Sequence, residues 1–390
     1  MRDVAILGVG MTKFGELWDR SFREIGIEAG LQALVDAKMS SAQLSAVYFG
    51  NMAAGSLMDQ EHIAPLILDY AGLGSRHLPG VRIEGGGASG ALALHQGYLA
   101  VASGLYDFVV VGGAEKMTDV PDERGNAIAS ATADHEWEVV FGATLPSLWA
   151  LMARRHMHEY GTTREDLAQV SVHDHEMASR NPNAHYRNPI TVSQVLSAGP
   201  VAEPLGMLDC APLSDGAAAV VLGPLEEARR FTDTPVRIAA SQVATDTMAL
   251  QHRRDLTTLD ATVEAAQRAF RQARRAPADV GVAEIHDAYS IAGLISLEDL
   301  GFVAKGAAGR EFASGRFSLG GTGPTVNPSG GLKAQGRPFG AVGIAQAVEL
   351  VRQLRGDAGK RQAPRATLGL AHDVGGTGAT SVVHLLERVN

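Results

Sequence analysis

The sequence predicts an α/β layered protein made of two similar halves. Three observations carry this expectation. Short buried strands alternate with Ala- and Leu-rich helices, glycine turns join them, and the same order of elements runs twice along 390 residues.

In the first series, Val4 to Gly10 (VAILGVG) reads as a buried strand ending in a glycine turn. Ile25 to Ala37 reads as an amphipathic helix with Ile27, Leu31 and Leu34 on one stripe. Leu44 to Phe49 reads as a second strand. Gly85 to Ala102 opens in a glycine turn and continues as a helix. Phe108 to Val111 is a third strand, closed by Gly112 and Gly113. The second series repeats this grammar. Val236 to Ala240 reads as a strand, Ala261 to Arg275 as a helix, and Val282 to Ile285 as a strand leading into HDAYS. Gly340 to Gln353 is a glycine turn and helix. Thr367 to Leu370 and Ser381 to Leu386 are strands on either side of HDVGGTG. The turn Gly87-Ala88-Ser89-Gly90 in the first series answers Gly340-Ala341-Val342-Gly343 in the second, as expected of a duplicated domain.

Residues from 115 to about 210 break the pattern. They are rich in His, Asn, Arg and Met, as in the run HDHEMASRNPNAHYRNP from His173. An excursion of this length in an α/β fold is expected to cover a site.

Composition narrows the function. The net charge is −9, which gives no electrostatic footprint for nucleic acid or an anionic membrane, though a local site can still take an anion. The single cysteine, Cys210, can form neither an internal disulfide nor a multi-cysteine metal site. No metal site is expected. The first residues hold too short an apolar run for a signal peptide, and no stretch reaches membrane-spanning length, so a cytoplasmic location is expected. The glycines at Gly320 to Gly323 lack the strand–turn–helix frame of a dinucleotide fingerprint.

Seven segments, taken in order, resemble the thiolase superfamily, particularly its archaeal and sterol-carrier-type branch. They are GNMAAG (Gly50 to Gly55), EGGGASGALAL (Glu84 to Leu94), GGAEKMTD (Gly112 to Asp119), LDCAPLSDGAAAVVL (Leu208 to Leu222), HDAYSIAGLISLEDLGF (His286 to Phe302), VNPSGGLKAQGRPFGAVGIAQ (Val326 to Gln346) and HDVGGTGAT (His372 to Thr380). The resemblance implies a five-layered α-β-α-β-α fold built from two duplicated halves. Residues 1–115 and 211–232 would form the N-terminal half, 116–210 a loop domain over the active site, and 233–390 the C-terminal half. It further implies an acyl-CoA substrate, a homodimer or tetramer, a place in lipid metabolism, and a possible small accessory protein with a zinc ribbon and an oligonucleotide-type barrel. Coenzyme A would enter only as part of the substrate, with no tightly bound cofactor.

Thiolase chemistry needs a thiolate to take the acyl group, a general acid/base, and donors for an oxyanion. In the resembled family the thiolate belongs to a Cys-Ala-Ser-Gly turn, and here that cysteine is replaced by Gly87. The second cysteine, after His-Asp, is replaced by Ala288. The histidine of Gly-His-Pro is replaced by Arg337, which cannot act as a base but can hold an oxyanion or a carboxylate. Of the family's positions, His286 is kept as an oxyanion donor. The coordinated losses point to a natural change of function.

Other groups then carry the expectations. Ser89 is a substitute nucleophile or a substrate contact. Cys210 reads as a small structural residue. Tyr289 reads as a general acid/base or as a structurally satisfied phenol. His372 is a further catalytic candidate. Asp373 and Gly376, in the C-terminal glycine turn, are substrate-side candidates, and Asp373 is expected to pair with Arg337. Asp287 reads as structural. Arg154 and His156 are candidates for coenzyme A contacts, with Arg155, Arg180, Met152 and Met157 nearby in sequence.

The run Glu84 to Ala88 also resembles thiolase-fold aldolases of sterol side-chain degradation, which lack the cysteine and use tyrosines for proton transfer. Three functions follow. One is an acyl-thioester carbon–carbon bond enzyme without an acyl-enzyme, of retro-aldol or decarboxylative-Claisen type. Another is a non-catalytic thiolase-fold subunit. The third is an acetyl-CoA acetyltransferase-type enzyme with an unexpected nucleophile. The enzyme readings predict a polar site holding His286, Tyr289, Arg337 and His372 near Gly87, whereas the subunit reading predicts a filled or apolar one.

Overall fold

The computed structural model describes residues 2–389. Ten strands form the main sheet system. The first five are β1 (Val4–Met11), β2 (Ala46–Gly50), β3 (Gly80–Ile83), β4 (Val109–Glu115) and β5 (Gly216–Pro224). The second five are β6 (Val236–Thr245), β7 (Val282–Glu284), β8 (Thr325–Val326), β9 (Leu368–Gly375) and β10 (Thr380–Arg388).

Both sets have the same spatial order. The first runs β3-β2-β4-β5-β1 and the second β8-β7-β9-β10-β6. In each, the second strand pairs in parallel with the third and fourth, and the fifth pairs antiparallel with the fourth and first. The fold is therefore a duplication. The halves join edge to edge through Ala5 with Arg237 and Ile6 with Val236.

Helices complete the layers. In the middle, α2 (Ser89–Ala102) packs on α7 (Val342–Arg355). Leu94, Val101, Ile344 and Val348 share one buried core there with residues of both sheets. Outside the first half lies α1 (Phe22–Asp36), and outside the second lies α5 (Asp260–Ala273). Between β4 and β5 the chain makes α3 (Leu145–Tyr160) and α4 (Arg164–Ala178), which pack on α6 (Ser290–Asp299) of the second half.

Helix α1 begins at Phe22, ahead of the expected Ile25, because Ser21 caps it reciprocally with Glu24. Its buried stripe, however, is Phe22, Ile25, Gly26, Ala29 and Ala33. Of the expected stripe, Ile27 and Leu34 are half-buried at the edge of the core and Leu31 is 56% exposed. Gly8 and Gly10 of β1 leave no room for a Cβ against the backbone of Ala33 and Ala29, so the helix rides close to the strand on its small residues.

The two answering glycine turns meet at the molecular centre. A Cβ on Gly90 would sit 2.6 Å from the Gly340 carbonyl oxygen, and one on Gly343 would sit 2.5 Å from the Ala91 nitrogen. Glu115, buried at the end of β4, ties the halves there. Its Oε1 accepts from Asn51 Nδ2 at 2.8 Å and Ala53 N at 3.0 Å, and its Oε2 from Met52 N at 2.9 Å and Gly340 N at 3.0 Å. Burial pushes this carboxyl up to about 7 against the Met52, Ala53 and Gly340 amides and the Arg82 charge. Glu115→Gln turns an amide NH2 toward one of the two donor pairs. It is expected to cost about 3 kcal/mol, read as a lower urea midpoint at unchanged m.

Candidate active site

The site is built around the turn that opens α2. Gly86 takes a left-handed conformation at φ +60°. The Ser89 hydroxyl donates to the Gly86 carbonyl at 2.7 Å and accepts from Gly85 N at 3.0 Å. Glu84 Oε1 accepts from Gly86 N at 2.6 Å. The fully buried Ser89 is thus spent on shaping its own turn, which removes it from the nucleophile and substrate-contact roles.

At Gly87 there is no space for a side chain. A Cβ would lie 2.9 Å from the Val374 carbonyl oxygen, with His286 Cε1 at 3.6 Å and Phe339 Cδ1 at 3.7 Å. Backbone occupies one side of the position where the family places its thiolate. Gly87→Ala is expected to destabilise by about 1–3 kcal/mol in thermal melts, because β9 must shift. Gly87→Cys should carry the same strain and form no acyl adduct by mass spectrometry.

His286 follows β7 and faces β9. Its Nδ1 lies 2.7 Å from Oδ1 of Asp373, and Nδ1 also accepts, at 3.4 Å, from Val374 N. Burial pushes His286 down to about 3, aided by the Arg337 charge, and burial pushes Asp373 well up. Both shifts disfavour a charged pair, and Oδ1 also accepts from Val374 N at 3.0 Å. With Nδ1 taken up by Asp373, Nε2 is the ring nitrogen left to donate, next to the Cε1 that lies 3.6 Å from a Cβ at Gly87. The expected Asp373–Arg337 ion pair does not form, because Asp373 turns to the imidazole and its Oδ2 is left without a partner.

Arg337 follows a π-helical turn, Gly331–Gln335. Asp287 holds that turn, accepting from Leu332 N at 2.7 Å and from Asn327 Nδ2 at 3.1 Å. The Arg337 guanidinium lies 4.8 Å from the Phe339 ring centre and 5.5 Å from that of Tyr289. Trp149 of α3 stacks on Tyr289 at 5.9 Å, bringing the 116–210 segment over the site. Burial raises the Tyr289 phenol, and Arg337 opposes that. Cys210, bridged by backbone to Tyr289, is pushed by burial up to about 11 and offers no thiolate.

The structure thus brings together Gly87, His286, Asp373, Arg337 and Tyr289, and it separates the other candidates from them. His372 is fully buried with Nε2 3.0 Å from Thr262 Oγ1, a contact to α5 on the outer face of the second half. His156 is buried between Thr162 and Glu298, at 2.8 and 3.0 Å, and is a core group with no surface for coenzyme A. Arg154 is exposed and pairs with Glu203. Arg155 and Arg180 pair with Glu159 and Glu176, and Met152 is core. Gly376 lies against the Gly86 turn, in the wall of an open cleft of about 400 Å³ that also includes Met52, Arg82, Glu84 and Thr132. Sequence reasoning missed Val374, Phe339 and Trp149. Phe339 had a signal, standing two residues after Arg337. The other two act through a carbonyl and a ring stack that no motif records.

No helix among the described residues is long and apolar enough to cross a membrane. Residues 4–226 match the family model "Thiolase, N-terminal domain", and residues 242–388 match "Thiolase C-terminal domain-like". The chain is 56% identical to an acetyl-CoA acetyltransferase of Methanothermobacter thermautotrophicus over 388 residues, covering 100% of both chains. It is 49% identical to an acetyl-CoA acetyltransferase of Methanocaldococcus jannaschii, covering 99% of both. Among solved structures, a chain of the Ltp2–ChsH2(DUF35) aldolase superposes with a TM-score of 0.84 at 29% identity, covering 99% of this chain and 97% of that one. With family models matched over both halves and full-length relatives, this chain belongs to the thiolase family.

Proposed function

We propose that the protein cleaves or forms a carbon–carbon bond in an acyl-CoA thioester without an acyl-enzyme, by a retro-aldol step. The observation that carries this reading is Gly87, where the Val374 carbonyl stands 2.9 Å from any added Cβ and leaves no room for a nucleophile. The aldolase among the structural relatives supports it.

Each group has a part in such a step. The β-hydroxyl gives its proton to the Tyr289 phenolate, a form that burial disfavours by raising the phenol and that the Arg337 charge partly restores. The bond between the α and β carbons breaks, and its electron pair passes to the thioester oxygen. Nε2–H of His286 holds that oxyanion. Tyr289 then returns the proton to the α carbon, leaving a carbonyl compound and a shorter acyl-CoA. The same reading carries a homodimeric or tetrameric assembly and an accessory zinc-ribbon partner.

A second reading, an acetyl-CoA acetyltransferase-type reaction, is favoured by the full-length relatives of that name. Incubation with β-hydroxyacyl- and β-ketoacyl-CoA esters, read by mass spectrometry with and without a zinc-ribbon protein, separates the two. The proposal expects cleavage of the hydroxy esters with no protein adduct. Thiolysis of the keto esters through an acyl adduct would replace it with the second reading. Because His286 stays neutral down to about 3, the rate of cleavage should show no inflection near 6.5, the ordinary imidazole value, in a profile over about pH 5 to 8.

A further inference from the structure

Arg337 is the anomaly of the site. It is 3% exposed, yet no carboxylate oxygen of the described residues lies within 4.0 Å of its guanidinium. The other buried cations are provided for. Lys116 meets Asp215, Arg361 meets Glu349, Lys333 donates to the Asp209 carbonyl, and Arg253 donates to the Thr377 carbonyl. Arg337 has two aromatic faces, Phe339 and Tyr289, and its Nε has no partner at all.

A guanidinium taken out of water without a counter-anion is costly, and ring faces offset only part of that. The Tyr289 hydroxyl also reaches the guanidinium, but Nε stays unpartnered and the fork still lacks the anion that a planar carboxylate supplies. Asp373, whose charged form burial disfavours, is turned to His286 and does not serve. Phe339 links this fork to the reacting position, since its ring touches both the guanidinium and the space at Gly87.

We infer that Arg337 is a specificity residue for a second carboxylate on the acyl chain, making the substrate class the CoA thioesters of dicarboxylic acids. The inference rests on the acyl-thioester reading of the same site but not on its reaction. The missing counter-anion arrives with the ligand, and the cation that replaces the family's histidine selects the acyl chain as well as easing the Tyr289 phenolate.

Equilibrium binding tests this apart from turnover. Titration calorimetry on the full chain would compare malonyl-, succinyl- and glutaryl-CoA with butyryl- and pentanoyl-CoA and with free coenzyme A. At least one dicarboxylic ester should bind about 100-fold more tightly than its neutral counterpart. Arg337→Gln should collapse that ratio to near one, and Arg337→Lys should keep part of it. Equal binding of the two classes by the unaltered protein overturns the inference, with no variant needed. So does a preference that survives in Arg337→Gln, or a loss in that variant equally large for free coenzyme A, which would assign the arginine to the phosphates. Failure of every β-hydroxyacyl-CoA to turn over would sink the retro-aldol reading and leave the binding ratio to decide this one.

Discussion

Replacing His286 with alanine is expected to lower kcat/KM for carbon–carbon cleavage about 100- to 1,000-fold, with most of the loss in kcat. The imidazole touches the reacting position, with Cε1 3.6 Å from a Cβ at Gly87. Nδ1 is taken up by Asp373 Oδ1 at 2.7 Å, which leaves Nε2 as the ring nitrogen that can donate. Charge builds on the thioester oxygen as the bond breaks, so a donor fixed in a dry site acts mostly on the transition state. His286→Gln can place an N–H near the same point and should recover part of the loss. Steady-state kinetics on a β-hydroxyacyl-CoA decide the matter. Unchanged kcat in the alanine variant would remove His286 from the oxyanion role.

Asp215→Ala is expected to cost about 3–5 kcal/mol of stability, the range for breaking a buried ion pair from one side. Asp215 is fully buried and accepts from Met117 N at 2.6 Å, Thr118 Oγ1 at 2.6 Å, Lys116 Nζ at 2.7 Å, Thr118 N at 2.9 Å and Leu17 N at 3.0 Å. It anchors the start of the 116–210 excursion to the first half. Burial works to raise its carboxyl, but the bonds from Lys116, Thr118 and Leu17 prevail and hold it below 3.8. A depressed carboxylate stabilises above its unfolded value and loses that contribution as pH falls through the folded one. The difference between native and variant in denaturant melts should therefore be constant from neutral pH to about 4 and shrink below that. A difference under about 1 kcal/mol at pH 7 would contradict the anchoring role.

Much of this molecule is legible in its sequence. Strand runs such as Val109 to Val111, and the paired turns at Gly87 and Gly340, are local signals with local causes. So are the departures at Gly87, Ala288 and Arg337, which fall inside otherwise kept motifs. What sequence could not carry is the choice of partner. Asp373 is expected beside Arg337, but the register of β9 beside β7 turns it to His286. His156 sits in a run of arginines and reads as surface, but α3 turns it inward to Glu298. His372 is next to Asp373 in sequence and points the opposite way, because neighbouring residues of a strand face opposite sides. In α1, large apolar residues signalled a core face, yet the tight approach to Gly8 and Gly10 reserved that face for alanines.

The interlocked glycines and Glu115 bear on how the molecule comes apart. Gly90 and Gly343 admit no gap between the halves, and the Gly340 amide belongs to one half while its acceptor belongs to the other. Neither repeat presents a finished surface without its twin. Loosening either one exposes the other's central helix to water, so the duplicated chain should melt in a single transition rather than in two steps. Its cooperative unit is the pair, twice the size of the ancestral repeat.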